Sequence, residues 1–140
     1  MKKKLFIVNV LLIVFSLMVL ASTIQMIVHR GGDFLEMPYK FWVSTHAKVG
    51  LVLGLLVFAH LRLNWNKITV WFTRFKKTPN KMTKALVILS FLAFVSGIVA
   101  IPVYIAGGHG PVGDLHGKVA LVFLIISITH LFKRIRWYFK

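Results

Sequence analysis

No cysteine occurs in the 140 residues, and only three residues are acidic against 18 Lys and Arg. The first absence excludes disulfides, thiolate metal sites, iron–sulfur clusters and the C-x-x-C-H attachment of covalent haem. The second leaves a formal net charge of +15 with almost nothing inside the chain to neutralise it. A nucleic-acid binder needs its cations on one folded polar face, and here they lie between long apolar runs, so nucleic acid is not an expected partner. What is abundant is hydrocarbon: 58% of residues are hydrophobic and the mean hydropathy is +0.80. A soluble domain of this length cannot hide so much apolar surface, and the membrane class follows before any motif is read.

Four runs, about 5–28, 42–61, 85–105 and 115–132, can each cross a hydrocarbon core of about 30 Å, which takes roughly 20 residues of helix. The expectation is an all-α integral membrane four-helix bundle forming a single transmembrane domain over 1–140. Lys2, Lys3 and Lys4 before an apolar run, with Val19-Leu20-Ala21 as a cleavage-like step, look like a signal peptide. The run continues through Ile24, Met26, Ile27 and Val28, however, so this span is expected to be retained.

Orientation follows from basic residues in short flanks, which stay cytoplasmic. One face would hold Lys2–Lys4, seven Lys and Arg between Arg62 and Lys84, and four from Lys133 to Lys140, fourteen in all. The other would hold Arg30, Lys40, Lys48 and Lys118 with Asp33, Glu36 and Asp114. Both termini are therefore expected in the cytoplasm of a bacterial-type cell (inner) membrane, with the loop AGGHGPVGD facing outward. In the 62–84 loop, Trp65, Ile68, Phe72 and Phe75 recur at helical spacing among Lys67, Arg74, Lys76 and Lys77, the pattern of a helix lying in the interface. The C-terminal RIRWYFK reads as an aromatic and basic belt of the same kind.

The sequence also repeats. HAKVGLVLGLLVFAHL (46–61) aligns with HGKVALVFLIISITHL (116–131) at an offset of 70, sharing both histidines, Lys48/Lys118 and several apolar positions. The preceding spans align at a slightly different offset, pairing Ser16 with Ser90, Ser22 with Ser96 and Ile24 with Ile98. Two two-helix units in the same sense make helices two and four parallel, setting His46 level with His116 and His60 level with His130. A 14-residue separation is about 21 Å of rise, and 14 steps of roughly 100° return to within about 40° of the start. Each helix therefore points two rings the same way at two depths.

Ionisable groups inside spans are costly and are generally kept for function, although a single histidine can merely cap a helix or bond a neighbour. One ion cannot be shared by His46 and His60 across about 21 Å. Two zinc sites of two histidines each would be incomplete, since no Cys, Asp or Glu lies in the spans to finish them. Haem resolves this: the porphyrin brings four equatorial nitrogens, and two facing imidazoles complete the iron. Between the ligands lie Gly50, Leu53 and Val57, matched by Ala120, Phe123 and Ser127, with small or modest residues one turn from each histidine. Small residues also serve helix packing, and Gly97 with Ala93 and Ala100, or Ala21 with Ser22, carry the same double reading. Lys48, Lys118, Arg62, Lys133 and Arg134 stand two to four residues past the histidines and are candidates to meet haem propionates; ordinary snorkelling explains them equally well. His29 and His109 end spans one and three, as interfacial loop residues or as a quinone contact or proton exit.

H-x13-H-L-x-L-N-W in THAKVGLVLGLLVFAHLRLNW, the second H-x13-H in LHGKVALVFLIISITHLFKRI, and the Ser-Gly step in FLAFVSGIVAIP resemble the flavinylation-associated cytochrome family, small four-span proteins catalogued as a domain of unknown function. The resemblance covers nearly the whole chain. It implies a di-haem b-type cytochrome with non-covalent haems and His46, His60, His116 and His130 as axial ligands, passing electrons to extracytoplasmic flavin-bearing partners. Similar paired histidines occur in cytochrome b subunits of respiratory dehydrogenases and hydrogenases. The chain is thus expected to be an electron-transfer subunit rather than a stand-alone enzyme, with quinone as the membrane-soluble donor or acceptor and a separate flavoprotein or respiratory oxidoreductase subunit as partner. Two other readings stand beside it: a histidine-based proton or ion pathway, and a non-redox anchor or assembly subunit.

Overall fold

The computed structural model describes residues 2–28, 37–66, 68–69, 81–105 and 110–135, and places them in four long α-helices. These are α1 (Lys2–Val28), α2 (Tyr39–Leu63), α3 (Lys81–Ile105) and α4 (Pro111–Ile135). All four are long and apolar enough to cross a bilayer, over Lys3–Val28, Tyr39–Leu63, Met82–Tyr104 and Pro111–Lys133. The chain is all-α, as the four apolar runs imply, and is a multi-pass membrane protein.

The helices overrun the apolar runs by up to about a turn, and the ends show why. Hydropathy marks only the residues that tolerate hydrocarbon, whereas backbone bonding continues into the interface until a residue stops it. Pro38 occupies the cap position before α2 with φ −66°, and its carbonyl accepts the Phe41 N–H at 2.8 Å. Pro111 opens α4 at the one place where a missing N–H costs nothing, and Asp114 in the first turn suits the helix dipole. At the far end of α2, Asn64 closes the last turn, its backbone N–H reaching the carbonyls of His60 and Leu61 at 3.1 Å each.

Two compact units emerge, Met1–Trp65 and Asn66–Lys140. In the first, α1 packs on α2; in the second, α3 packs on α4. Each unit is one helical hairpin, the two-helix unit that the repeat anticipates. Their packing inverts that of a water-soluble protein: Leu17, Phe58, Phe91 and Phe132 are each at least 60% exposed, while the most buried side chain is the polar Ser22 at 2%. Lipid is as good a solvent for Leu as a protein core is, so helices in a bilayer bring small and polar groups together instead. Trp65 is exposed and Ile68 half-buried. The rest of the proposed interfacial helix (67 and 70–80), the loop residues His29 and His109, and the C-terminal belt from residue 136 lie outside the described residues.

Candidate functional site

His46, His60, His116 and His130 are all half-buried, two on α2 and two on α4. Both helices run unbroken across their pair, so the separation of about 21 Å along each axis holds. Within its own hairpin, each of three rings is tied to the preceding helix. His46 Nδ1 lies 3.2 Å from Ser22 Oγ and 3.2 Å from Thr23 Oγ1. His116 Nδ1 lies 3.1 Å from Ser96 Oγ. His60 Nδ1 lies 2.9 Å from Asn9 Oδ1.

Donor accounting assigns the tautomer. A hydroxyl has one hydrogen to give. Ser22 gives its hydrogen to the Val19 carbonyl at 2.9 Å, and Thr23 gives its own to the same carbonyl at 2.8 Å. Ser96 gives its to Leu92 O at 2.7 Å, with Ala93 O at 3.2 Å. Such bonds to the carbonyl three or four residues back are how hydroxyls settle inside helices. Their oxygens can then only accept, so His46 and His116 must each donate from Nδ1–H. A neutral imidazole with its proton on Nδ1 carries its lone pair on Nε2, the form in which histidine ligates metals while the second nitrogen is held by a protein acceptor. With Asn9 presenting its carbonyl oxygen, His60 takes the same form. Asn64 Nδ2 stands 3.5 Å from His60 Nε2, too long for a good bond, and makes its short contact of 2.9 Å with the His60 carbonyl.

The repeat is therefore more than an alignment: Ser22 meets His46 as Ser96 meets His116. It also breaks informatively at the next position, where Thr23 stands in the first hairpin and Gly97 in the second. A Cβ built on Gly97 would fall 3.0 Å from His116 Cε1 and 3.4 Å from its Nδ1, so the ring lies directly against that backbone. The small residues of α3 and α1 that suggested room for a macrocycle thus have a nearer use here, Gly97 as a seat for the His116 ring and Ser22 as an acceptor for His46. Gly50 on α2 does face open space, with nothing within 4 Å of an added Cβ.

Lys48 and Lys118 are exposed, as is Arg62. The Arg62 stem, with Lys4, Ile7, Val8, Ala59 and Leu63, lines an open apolar groove of about 390 Å³ between α1 and α2, at the end of the hairpin that holds His60. Arg134 falls in the last turn of α4, and its side chain lies outside the described ones. No three His, Asp or Glu gather among the described residues. His46, His60 and His116 each present Nε2, the kind of nitrogen that can ligate a metal or haem iron.

Sequence reasoning placed the histidines but not their partners. Asn9 was visible as a lone amide in LFIVNVLLIV, and the antiparallel register gives it a purpose: thirteen residues before Ser22 on α1 matches fourteen after His46 on α2. The two-acceptor arrangement at His46 yields a prediction. Removing the Ser96 hydroxyl (Ser96→Ala) loosens the His116 tautomer by up to about 1 kcal/mol, or roughly fivefold in tautomer ratio, with the Ala93 carbonyl remaining beside the ring. Ser22→Ala alone leaves Thr23 in place and changes His46 little, while Ser22→Ala with Thr23→Val removes both hydroxyl acceptors and changes it by at least as much as Ser96→Ala changes His116. Imidazole ¹⁵N shifts of the haem-free protein read all three, and equal losses in both single variants would refute the shared role of Thr23. No family model, curated protein or solved structure matches this chain, so the reading of its histidines rests on its own residues and their geometry.

Proposed function

We propose that the chain is a di-haem b-type membrane cytochrome, carrying electrons across the bilayer between quinone and an extracytoplasmic redox protein that is flavin-bearing or part of a respiratory oxidoreductase. The observation that carries this reading is the fixed tautomer: His46, His60 and His116 each present Nε2 as the ligating nitrogen because Nδ1–H is spent on a neighbouring helix. The sequence repeat pairs His46 with His116 at one level and His60 with His130 at the other. When bound, two haems b would supply one-electron transfer between two depths about 21 Å apart.

The chain's own residues supply the rest. α1 and α3 orient the imidazoles, and the exposed apolar faces keep the site in lipid and away from bulk water. Lys48, Lys118, Arg62 and Arg134, each two to four residues past a histidine in sequence, are the candidates for the carboxylates of the cofactor. The excess of Lys and Arg around the termini puts both termini in the cytoplasm of a bacterial-type cell membrane.

The same hydrogen bonds weigh against a proton relay. A relaying hydroxyl must pass a proton onward, yet Ser22, Thr23 and Ser96 direct theirs at backbone carbonyls, which cannot take it. Purification from cells supplied with haem should give a coloured protein with a Soret band and about two haems b per chain in a pyridine haemochrome assay. A folded, colourless protein would refute the proposal and leave the relay or anchor readings. Haem that neither quinol nor a partner reduces would point to the anchor.

A further inference from the structure

We propose, resting on the reading that His60 ligates haem iron, that Asn9 is a positioning residue that lowers the midpoint potential of that iron. His60 Nδ1 lies 2.9 Å from Asn9 Oδ1, while the ring-to-hydroxyl distances at His46 and His116 are 3.1 and 3.2 Å. Its chemistry differs too. Asn9 offers a side-chain amide carbonyl, whereas Ser22 and Thr23 share a single N–H and His116 meets the Ser96 hydroxyl together with the Ala93 backbone carbonyl. The grip is two-sided: Asn64 closes on the His60 carbonyl through its side chain at 2.9 Å and its backbone N–H at 3.1 Å, so the last turn of α2 does not yield while Asn9 draws the ring toward α1.

An acceptor on Nδ1–H pushes electron density to Nε2, which strengthens its bond to iron and favours the oxidised metal. The repeat makes this lopsided. At the offset that maps Ser22 onto Ser96, Asn9 maps onto Thr83, so the asparagine itself is not repeated. Lys4 and Arg62 at the same end of the hairpin are exposed cations that would act in the opposite direction. They remain in place when Asn9 is changed, and the effect of the amide can be read against a constant background.

The test is an equilibrium redox titration of the holoprotein with and without substitution at Asn9. In Asn9→Leu, both haems should remain, with one midpoint shifted upward and the other unmoved. In Asn9→Thr, a hydroxyl replaces the carbonyl and the shift should be smaller. Two retained haems with unchanged midpoints in both variants would overturn the inference. Where Asn9→Leu loses a haem, the Asn9→Thr titration decides alone. Should the wild-type protein hold no haem, the functional reading falls separately, and imidazole ¹⁵N shifts then judge Asn9. His60 should be an Nδ1–H tautomer in wild type and a mixture in Asn9→Leu, and identical spectra would remove the positioning role.

Discussion

On the proposed di-haem reading, replacing His60 with alanine should remove one haem per chain and leave the other with its spectrum unaltered. The expectation follows from distance: His46 and His60 lie about 21 Å apart along one unbroken helix, so no single cofactor uses both. The Soret absorbance should fall to about half, and the pyridine haemochrome value from two to one. The protein should persist through this loss. His60 contributes its bond to Asn9, and losing one such partly buried bond costs about 1 kcal/mol, more where the amide is left unsatisfied. That is small beside the packing of two 25-residue helices against their neighbours, and helix content by circular dichroism should hold. His46→Ala should give the same stoichiometry with the complementary haem retained. Loss of both haems from a folded His60→Ala protein would mean that the two levels are not independent, and loss of neither would end the assignment of His60 as a ligand.

Much of this architecture was legible because a bilayer imposes strong patterns. Runs of about 20 apolar residues have few alternatives to a helix, and the spans between Leu5 and Phe132 emerge within about a turn of their place. The histidines were equally legible, since an ionisable ring in hydrocarbon is conspicuous and four at matched spacing are more so. What could not be read is which small polar residue answers which ring. Ser22 and Ser96 were seen as a repeat match, but a serine in a span equally bonds its own backbone, as Ser90 does to Val87 O at 2.9 Å. Only the facing of two helices turns Ser22 and Ser96 into acceptors. Asn64 was noticed as part of a motif, and its work as the residue that closes α2 on the His60 carbonyl depends on where the helix ends, the feature that periodicity locates least well. Gly97 is the clearest case. Sequence offers the same residue for helix packing, for cofactor room and for a ring seat, and the choice among them is a matter of a few tenths of an ångström.

Gly97→Ala should therefore have an effect out of proportion to one methyl group. On helix propensity alone the change is favourable, since alanine in a helix interior is better than glycine by up to about 1 kcal/mol. The new Cβ, however, would sit 3.0 Å from His116 Cε1, 3.4 Å from Nδ1 and 3.7 Å from Nε2, so it meets the ring edge rather than the tip of a flexible chain. The imidazole cannot step aside and keep its bonds, because its partners are the adjacent residue, Ser96 at 3.1 Å, and the Ala93 carbonyl one turn back on the same helix. Ring displacement and loss of the Ser96 contact are thus one event, and disturbing the group that orients a metal-bound histidine costs roughly 10- to 100-fold in affinity. The expected outcome is a protein of normal helix content with weakened binding of the haem assigned to His116 and unchanged binding of the other. Gly113→Ala on α4, where an added Cβ meets nothing within 4 Å, is the matched control and should bind both normally. The first hairpin shows the alternative solution: at the equivalent position Thr23 carries a side chain, tolerated because its oxygen bonds the ring it approaches. If Gly97→Ala holds two haems as tightly as the parent while Ser96→Ala does not, the ring is oriented by its acceptor alone and the glycine seat has no part in ligation.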